Sequence, residues 1–459
     1  MSDMKTPELL APAGTLKSMR HAFAYGADAI YAGQPRYSLR VRNNEFLNEK
    51  LELGIKETHS LGKKFYLTVN SSPHNSKIKT FIEDLDPVAM MKPDAFIMAD
   101  PGLIMMAREA WPEMPIHLSV QANTVNYATV KFWQSIGVER IILSRELSLD
   151  EIEEIRQQCP DMELEVFVHG ALCIAYSGRC LLSGYFNHRD PNQGTCTNSC
   201  RWKYKTSEAV ETEEGVFTPD ETAVLSADAL NNSGCGDQQR HPLADEIYFL
   251  EEEARPGELM PVMEDEHGTY IMNSKDLRAV EHVERLCQIG VDCLKIEGRT
   301  KSHYYAARTT QIYRKAIDDA VAGKGFDESL LGRLENLANR GYTDGFYKRH
   351  HTHEYQSYML NASQSNQSQF VGEAFNIDHE KGFVEVDVKN HFRVGDKLEL
   401  ILPDGNNRDM VLEYMETLDG ESLEVAPGSG YQVRIPIADI KGDTLLISRY
   451  LPEGMTISS

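Results

Sequence analysis

The sequence predicts an α/β protein built as a (β/α)8 TIM-like barrel, with a Cys-rich insert between strands seven and eight and a small C-terminal β-barrel. Three observations lead to this fold. Short apolar segments alternate with amphipathic helical segments, the matching strands number eight, and the pattern changes near residue 366 to short alternating strands with Gly-rich turns. An open doubly wound sheet has the same local pattern, but no Gly-x-Gly-x-x-Gly turn follows the first strand.

Each predicted barrel strand is a short apolar run, and several follow a glycine that ends the preceding helix, as Gly26, Gly137 and Gly290 do. The eight predicted strands are 8–13, 28–33, 64–70, 95–100, 116–122, 140–145, 163–169 and 294–297. Helices are also predicted at 274–289 and 302–322.

These elements divide the chain into predicted domains. The segment 206–242 is acidic and poor in large apolar residues, so we expect a surface loop there. The predicted organisation is a barrel at 1–345 that carries the insert 171–290, a polar linker at 346–365, and the C-terminal domain at 366–459.

In four of the predicted strands, apolar residues alternate with polar ones, so the two faces of each strand differ. If the apolar face meets the outer helices, the polar face lines the lumen, which in most barrels holds branched apolar side chains. Buried charges are costly unless they are paired or functional, and a paired structural ion network is the alternative to a catalytic role. The predicted catalytic residues are lumen positions and polar strand ends, where barrel sites lie: Glu165, His169, Lys295, Glu297, Arg299, Arg145 and Gln121.

Four cysteines follow the seventh strand within 28 residues, in the pattern Cys173-x6-Cys180-x15-Cys196-x3-Cys200. Four thiolates can hold an iron–sulfur cluster or a tetrahedral zinc ion. Structural zinc usually takes two closely spaced pairs, and only the second pair is close here, so the spacing favours a cluster over zinc. The other cysteines are predicted as a reserve ligand (Cys235) and as core residues (Cys159, Cys287 and Cys293).

Basic and aromatic side chains are interleaved at points predicted to lie on the face of the barrel that carries the site. Such mixtures suit phosphate contacts and base stacking, although ordinary solvated charge is the better explanation for any single cluster. The predicted RNA-binding residues are Arg36, Arg40, Arg42, Arg201, Trp202 and Lys203.

The formal net charge of −23 argues against a protein that binds nucleic acid through general basic charge, but not against a local basic site. With 41% hydrophobic and 25% charged residues, the composition excludes a wholly disordered or fibrous chain. No apolar signal core follows Met1, and no run reaches the roughly 18 apolar residues of a membrane span. We therefore expect a soluble cytoplasmic protein without membrane association, whose thiols stay reduced.

Several of these runs resemble one known family. The run Glu165–Cys173, followed by Gly178-Arg179-Cys180, resembles the signature of the U32 family, historically called collagenase-like peptidases. The runs Asn192–Trp202 and Glu264–Tyr270 are most similar to the TrhP branch of that family. Other blocks of the family are similar to Leu9–Gly14, Gly26–Tyr31, Ser119–Ala122 and Lys295–Arg299.

The resemblance implies prephenate-dependent formation of 5-hydroxyuridine at the wobble position of tRNA. It further implies an oxygen-independent hydroxylation and a 4Fe–4S cluster. The implied partners are tRNA, prephenate, and an electron donor or iron–sulfur assembly proteins. Many members of the family have Cys in the phrase Lys-Asp-Leu-Cys, where this chain has Arg278. The resemblance therefore leaves Cys173, Cys180, Cys196 and Cys200 as the ligand set.

Three other functions stay open at this stage. A U32-type peptidase is the first, although neither His-Glu-x-x-His nor Gly-x-Ser-x-Gly occurs in the sequence. The second is hydroxylation of another substrate, such as ribosomal RNA or a quinone precursor, as related family members perform. The third is a non-catalytic module that binds tRNA or a partner enzyme, with zinc in place of the cluster.

Overall fold

The computed structural model describes most of the barrel and of the C-terminal domain. Side chains and backbone are described for 4–39, 44–172, 275–337, 339, 341–348, 368–437, 440 and 442–452. For 209–211, 217–219, 248–251, 259–262, 264–265, 268–269, 364–365 and 457–458 only the strand backbone is described. The four clustered cysteines, most of the acidic segment 206–242 and most of the linker lie outside the described residues.

Eight parallel strands form a closed barrel, which confirms the predicted fold class. Neighbouring strands follow one another in chain order, and the eighth strand pairs with both the first and the seventh. The strands are β1 (Glu8–Pro12), β2 (Ala29–Gly33), β3 (Lys64–Val69), β4 (Ala95–Met98), β5 (Ile116–Leu118), β6 (Arg140–Ile142), β7 (Glu163–Ala171) and β8 (Cys293–Ile296).

A helix follows each strand and packs its apolar side on the outside of the barrel. Side-chain caps begin several of them; Ser148, for example, forms a reciprocal capping box with Glu151. The helices are α1 (Leu16–Ala24), α2 (Asn48–Ser60), α3 (Phe81–Met90), α4 (Pro101–Ala110), α5 (Tyr127–Ser135), α6 (Leu149–Gln158), α7 (Val283–Ile289), α8 (His303–Val321) and α9 (Ser329–Glu335).

The segment before α7 differs from the helix predicted at 274–289. Its first part is a strand, Asp276–Arg278, which pairs antiparallel with the end of β7, and a 3-10 turn at Val280–His282 precedes α7. The helix prediction is wrong here because β7 continues beyond the barrel rim, and its free backbone groups need a partner. The predicted helix at 302–322, in contrast, is confirmed as α8.

The C-terminal domain is a curled antiparallel sheet of seven strands around its own apolar core. The strands are β9 (Ser368–Asp378), β10 (Phe383–Val388), β11 (Lys397–Ile401), β12 (Arg408–Val411), β13 (Glu416–Thr417), β14 (Gln432–Pro436) and β15 (Leu446–Tyr450). Their order across the sheet is β12-β11-β15-β9-β10-β14-β13.

Buried polar contacts attach this sheet to the barrel. Arg308 of α8 donates two hydrogen bonds to the carboxylate of Glu399, at 2.8 and 2.9 Å, and both side chains are buried. The Tyr25 hydroxyl donates to the carbonyl of Ile401 at 2.8 Å. Because a buried bidentate ion pair fixes both distance and direction, the sheet has a defined position on α1 and α8.

Within the described part of the chain, no helix combines the length and the apolar character that crossing a membrane requires.

Candidate active site

An ion network fills the base of the lumen, at the end where the strands begin. Arg140, the first residue of β6, donates to Glu8 of β1 at 2.6 Å and to Glu163 of β7 at 2.8 Å. It also lies 3.4 Å from the fully buried Glu165. Because β7 and β8 separate β6 from β1 in the sheet, the contact with Glu8 crosses the interior of the barrel.

The charged side chains of this network, at the base of the lumen, stabilise one another by pairing. Burial alone would raise the pKa of Glu8, but the neighbouring Arg140 guanidinium outweighs it and lowers that pKa. The Tyr66 hydroxyl donates to the same carboxylate at 2.9 Å. Burial, reinforced by the nearby Arg140, lowers the pKa of His117 well below its usual value, so this imidazole is neutral at pH 7. The base of the lumen is therefore a closed ionic core.

Lys295 of β8 joins the base to the open end of the lumen. Its ammonium donates to Glu165 at 2.7 Å, and both side chains are buried. It also lies 4.3 Å from the ring centroid of Tyr31 and 5.5 Å from that of Phe167. Burial lowers the pKa of Lys295, while the Glu165 carboxylate opposes that shift. The sequence prediction that Glu165 and Lys295 line the lumen agrees with this geometry.

Toward the strand ends, three cations alternate with two aromatic rings. The Arg145 guanidinium lies 3.7 Å from the Phe167 ring centroid, and Lys295 faces both Phe167 and Tyr31. Arg299 lies 5.8 Å from the Tyr31 ring centroid. We call these five residues the cation–aromatic row. Guanidinium and ammonium groups beside ring faces form a set whose chemistry suits an anion with an apolar part.

Arg299 is positioned by one hydroxyl group in the loop after β2 and one on β3. Its guanidinium donates to Ser38 at 2.9 Å and to Thr68 at 2.8 Å. Gly33, the last residue of β2, leaves the space that it occupies, since a Cβ there would lie 2.2 Å from Arg299 Nη1. The glycine at this strand end therefore permits the close approach of the guanidinium.

His169 does not face the lumen, contrary to the parity prediction. Its ring packs against Tyr305 and Tyr313 of α8 and against Tyr342, with ring centroids 5.5 to 5.9 Å away. The register between β7 and β8 shifts after the Phe167–Lys295 pair, and this bulge reverses which residues point outward. Burial lowers the pKa of His169 to about 3, so the side chain is a neutral core group.

The remaining predicted site residues are more dispersed. Gln121 lies in a 3-10 turn after β5, where its backbone N–H donates to Ser119 Oγ at 3.3 Å. Glu297 directly follows β8, and its carbonyl accepts from Tyr305 at 2.8 Å. Arg36 pairs with Asp84 at 2.7 Å. The other predicted RNA-binding residues, Arg40, Arg42, Arg201, Trp202 and Lys203, lie outside the described residues.

Sequence reasoning missed Arg140, Glu8 and Tyr31. Arg140 and Glu8 each begin a strand, where a charged residue usually faces solvent, so neither stands out as a lumen residue. Strand parity gives no lumen signal for Arg140, because the residue that shares its face, Ile142, is apolar.

Comparison with known proteins agrees with this architecture. The family model for peptidase family U32 matches residues 14–357, and the model for the U32 C-terminal domain matches 366–449. This chain belongs to peptidase family U32. Both the barrel that carries the cation–aromatic row and the C-terminal sheet therefore lie within matched regions of this U32 protein.

Three curated relatives of this U32 protein carry two different names and differ in sequence identity. It is 62% identical over 434 residues to tRNA hydroxylation protein P of Escherichia coli, covering 95% of this chain and 94% of that protein. It is 58% identical over 452 residues to the protein of the same name from Haemophilus influenzae, covering 98% of each chain. A protein from Porphyromonas gingivalis named Collagenase is 25% identical over 449 residues, covering 94% and 95%.

The four cysteines predicted to hold a cluster lie outside the described residues, but the strand that leads to them is described. β7 ends at Ala171, two residues before Cys173 in the sequence, at the same end of the barrel as the cation–aromatic row. Gly170 has φ +107°, and a Cβ there would lie 2.5 Å from the carbonyl oxygen of Glu297. Glycine at 170 thus lets the end of β7 pack directly on the chain after β8.

Proposed function

We propose that this U32 protein hydroxylates tRNA. The observation that carries the proposal is the identity of 62% and 58%, over nearly the whole length, to two relatives named tRNA hydroxylation protein P. Identity at that level includes the barrel and the C-terminal domain alike, so it supports a shared task rather than a shared fold alone. In this proposal the protein is an enzyme that acts in the cytoplasm.

In its finer form, the proposal is conversion of the wobble uridine to 5-hydroxyuridine without molecular oxygen and with prephenate as the required metabolite. Prephenate carries one carboxylate on a carbocyclic ring and a second on the side chain of that ring. The cation–aromatic row offers matching chemistry, since Arg299 and Arg145 present guanidinium donors and Tyr31 and Phe167 present ring faces. Lys295 adds a third positive charge between the rings.

The roles of this chain's own residues follow from that arrangement. Arg299 and Arg145 would bind carboxylates, while Ser38 and Thr68 hold the Arg299 guanidinium in one orientation. Glu165 partly compensates the charge of Lys295, so the site draws an anion without leaving a buried cation unpaired. The ionic core below closes the base of the lumen, and a ligand would enter from the strand ends.

A 4Fe–4S cluster is the proposed cofactor, held by Cys173, Cys180, Cys196 and Cys200. Their donor set fits such a cluster, because four thiolates are its usual ligands. The cluster would supply one-electron chemistry, with an electron donor and iron–sulfur assembly proteins as partners. Arg36, Arg40, Arg42, Arg201, Trp202 and Lys203 are proposed to contact the tRNA through phosphates and stacked bases.

A complementation experiment tests the function. The gene for this chain is deleted from its host, and 5-hydroxyuridine in total tRNA is measured by mass spectrometry. We expect the nucleoside to disappear, to return with the wild-type gene, and to stay absent with Cys196→Ser. Cys159→Ser is the matched control, since Cys159 is a free buried cysteine at the end of α6 and restores the modification in this account. Persistence of 5-hydroxyuridine in the deletion strain would contradict the proposal.

Anaerobic purification tests the cofactor separately. A brown protein with about four iron and four sulfide per chain supports the cluster. A colourless protein with one zinc supports a binding module instead, while cleavage of unstructured peptides that stops when a single cysteine is blocked supports the peptidase alternative.

A further inference from the structure

Three potential metal ligands meet where the C-terminal sheet docks on the barrel. His21 lies on α1, His303 begins α8, and Glu373 lies on β9 of the sheet. One ligand atom from each residue lies within 4.8 Å of the other two. The residues come from three elements far apart in the sequence, so their meeting depends on how the two domains dock.

His303 and Glu373 face each other through their potential ligand atoms. His303 Nε2 and Glu373 Oε2 lie 2.6 Å apart as an ion pair, and among the described residues neither buried atom has another hydrogen-bond partner. The two histidine rings lie close together, with centroids 4.8 Å apart. A cation between these atoms would satisfy all three at once, because imidazole nitrogen and carboxylate oxygen are both zinc ligands.

Lys17 contacts both His21 and Glu373 and orients their side chains. Its carbonyl accepts a hydrogen bond from His21 Nδ1 at 2.9 Å, which leaves Nε2 of that ring with its lone pair. Its ammonium binds Oε1 of the Glu373 carboxylate, which leaves Oε2 facing the histidines. Metal-binding histidines and carboxylates are usually oriented in this way by groups on their far atoms.

We propose that His21, His303 and Glu373 bind a divalent transition metal ion of the zinc class, which links the C-terminal sheet to the barrel. Tetrahedral coordination needs ligand atoms about 3.3 Å apart. The three atoms lie within 4.8 Å of one another, with His303 and Glu373 at 2.6 Å, so small side-chain rotations would part this pair and bring His21 to the same spacing. The buried Arg308–Glu399 pair already holds β11 against α8, so the backbone that carries the ligands is in place before the metal binds. This site is independent of the proposed function and of the four clustered cysteines.

The test is cobalt binding to the full-length chain. Purified wild-type protein and three variants are dialysed anaerobically against Co²⁺, and bound cobalt, its visible absorption and the melting temperature are measured. The variants are His303→Ala, the nearly isosteric Glu373→Gln, and His59→Ala as control. His59 also pairs with a carboxylate, Asp94 at 3.0 Å, but within the described part of the chain it belongs to no group of three potential metal ligands.

We expect the wild type and His59→Ala to bind one equivalent more cobalt than either ligand variant. This equivalent should lack the intense near-ultraviolet absorption that thiolate-bound cobalt shows, and cobalt should raise the melting temperature of the wild type and the control alone. Equal cobalt binding by all four proteins would overturn the proposal. Glu373→Gln keeps the shape of the side chain. If this variant loses the additional equivalent of bound cobalt but melts without metal at the same temperature as the wild type, misfolding is ruled out as the cause.

Discussion

The two ends of the barrel lumen use charge in different ways. At the base, Arg140 is surrounded by three carboxylates, and each charge is matched inside the protein. At the strand ends, the described contacts of Arg145 and Arg299 are with aromatic rings and hydroxyl groups. Matched charge stabilises a fold, while cations beside ring faces suit an anionic ligand. Under the proposed function, one end of the lumen therefore contributes stability and the other binds the ligand.

The largest expected effect is on stability, from Arg140→Met. Removing the guanidinium leaves the largely buried Glu8 without its main partner and takes from Glu165 one of its two cations, which costs about 3–5 kcal/mol of unfolding free energy. Arg145→Met, at the other end, should cost less than about 1 kcal/mol, since a cation–π contact is what it loses. Urea unfolding of both variants measures the two losses of unfolding free energy. Losses of similar size would remove the distinction between the two ends of the lumen.

The second prediction concerns the pair that joins the two ends. Lys295→Met should destabilise the protein because it leaves the Glu165 carboxylate buried beside fewer positive charges. Adding Glu165→Gln should recover part of that loss, with a coupling free energy of about 0.5–3 kcal/mol between the two sites. A double-mutant cycle by urea unfolding gives this coupling free energy. Strict additivity of the two substitutions would mean that the 2.7 Å contact contributes nothing to stability.

The third prediction is a pH dependence of stability that arises from Glu8, at the base of the lumen. The pKa of Glu8 is lowered in the folded protein, so its stabilising effect is present above the unfolded value of about 4.3. The effect is lost as the pH falls through the folded pKa, because protonation then removes the pairing with Arg140. Melting temperatures of the wild type and Glu8→Gln should differ at about pH 6 and converge toward about pH 3. A difference that grows as the pH falls would contradict this sign.

The smallest structural change with an expected functional effect is Gly33→Ala. The added Cβ would lie 2.2 Å from Arg299 Nη1, so the guanidinium must leave its hydrogen bonds to Ser38 and Thr68. We expect less 5-hydroxyuridine in the complementation assay, with far less loss of stability than Arg140→Met causes. Arg20→Gln, which breaks a surface pair with Glu57, serves as the control and should leave the modification unchanged.

The barrel could be predicted from the sequence because its signals are local. Turns such as Gly26-Ala27-Asp28 mark the end of a helix and the start of a strand, and eight such units close into a barrel. Strand parity also placed Glu165 and Lys295 correctly in the lumen.

The features that could not be predicted depend on pairing between distant segments. The bulge that turns His169 outward is set by the register of β7 against β8, more than a hundred residues later in the chain. The strand Asp276–Arg278 forms between two distant partners, the end of β7 and the pair Tyr342–Thr343. Arg140 and Glu8 look like surface residues until the closed barrel brings β6 opposite β1. Side chains that act across a closed sheet leave no signal in local sequence.

Binding of prephenate to the purified full-length protein tests the central claim most directly, namely that the cation–aromatic row is the ligand-binding end of the lumen. Isothermal titration calorimetry would compare the wild type with Arg299→Met and with Arg20→Gln. We predict that Arg299→Met weakens binding by about tenfold or more, because a charge-assisted hydrogen bond to a carboxylate is lost, while Arg20→Gln binds as the wild type does. Equal affinity for all three proteins would contradict the account.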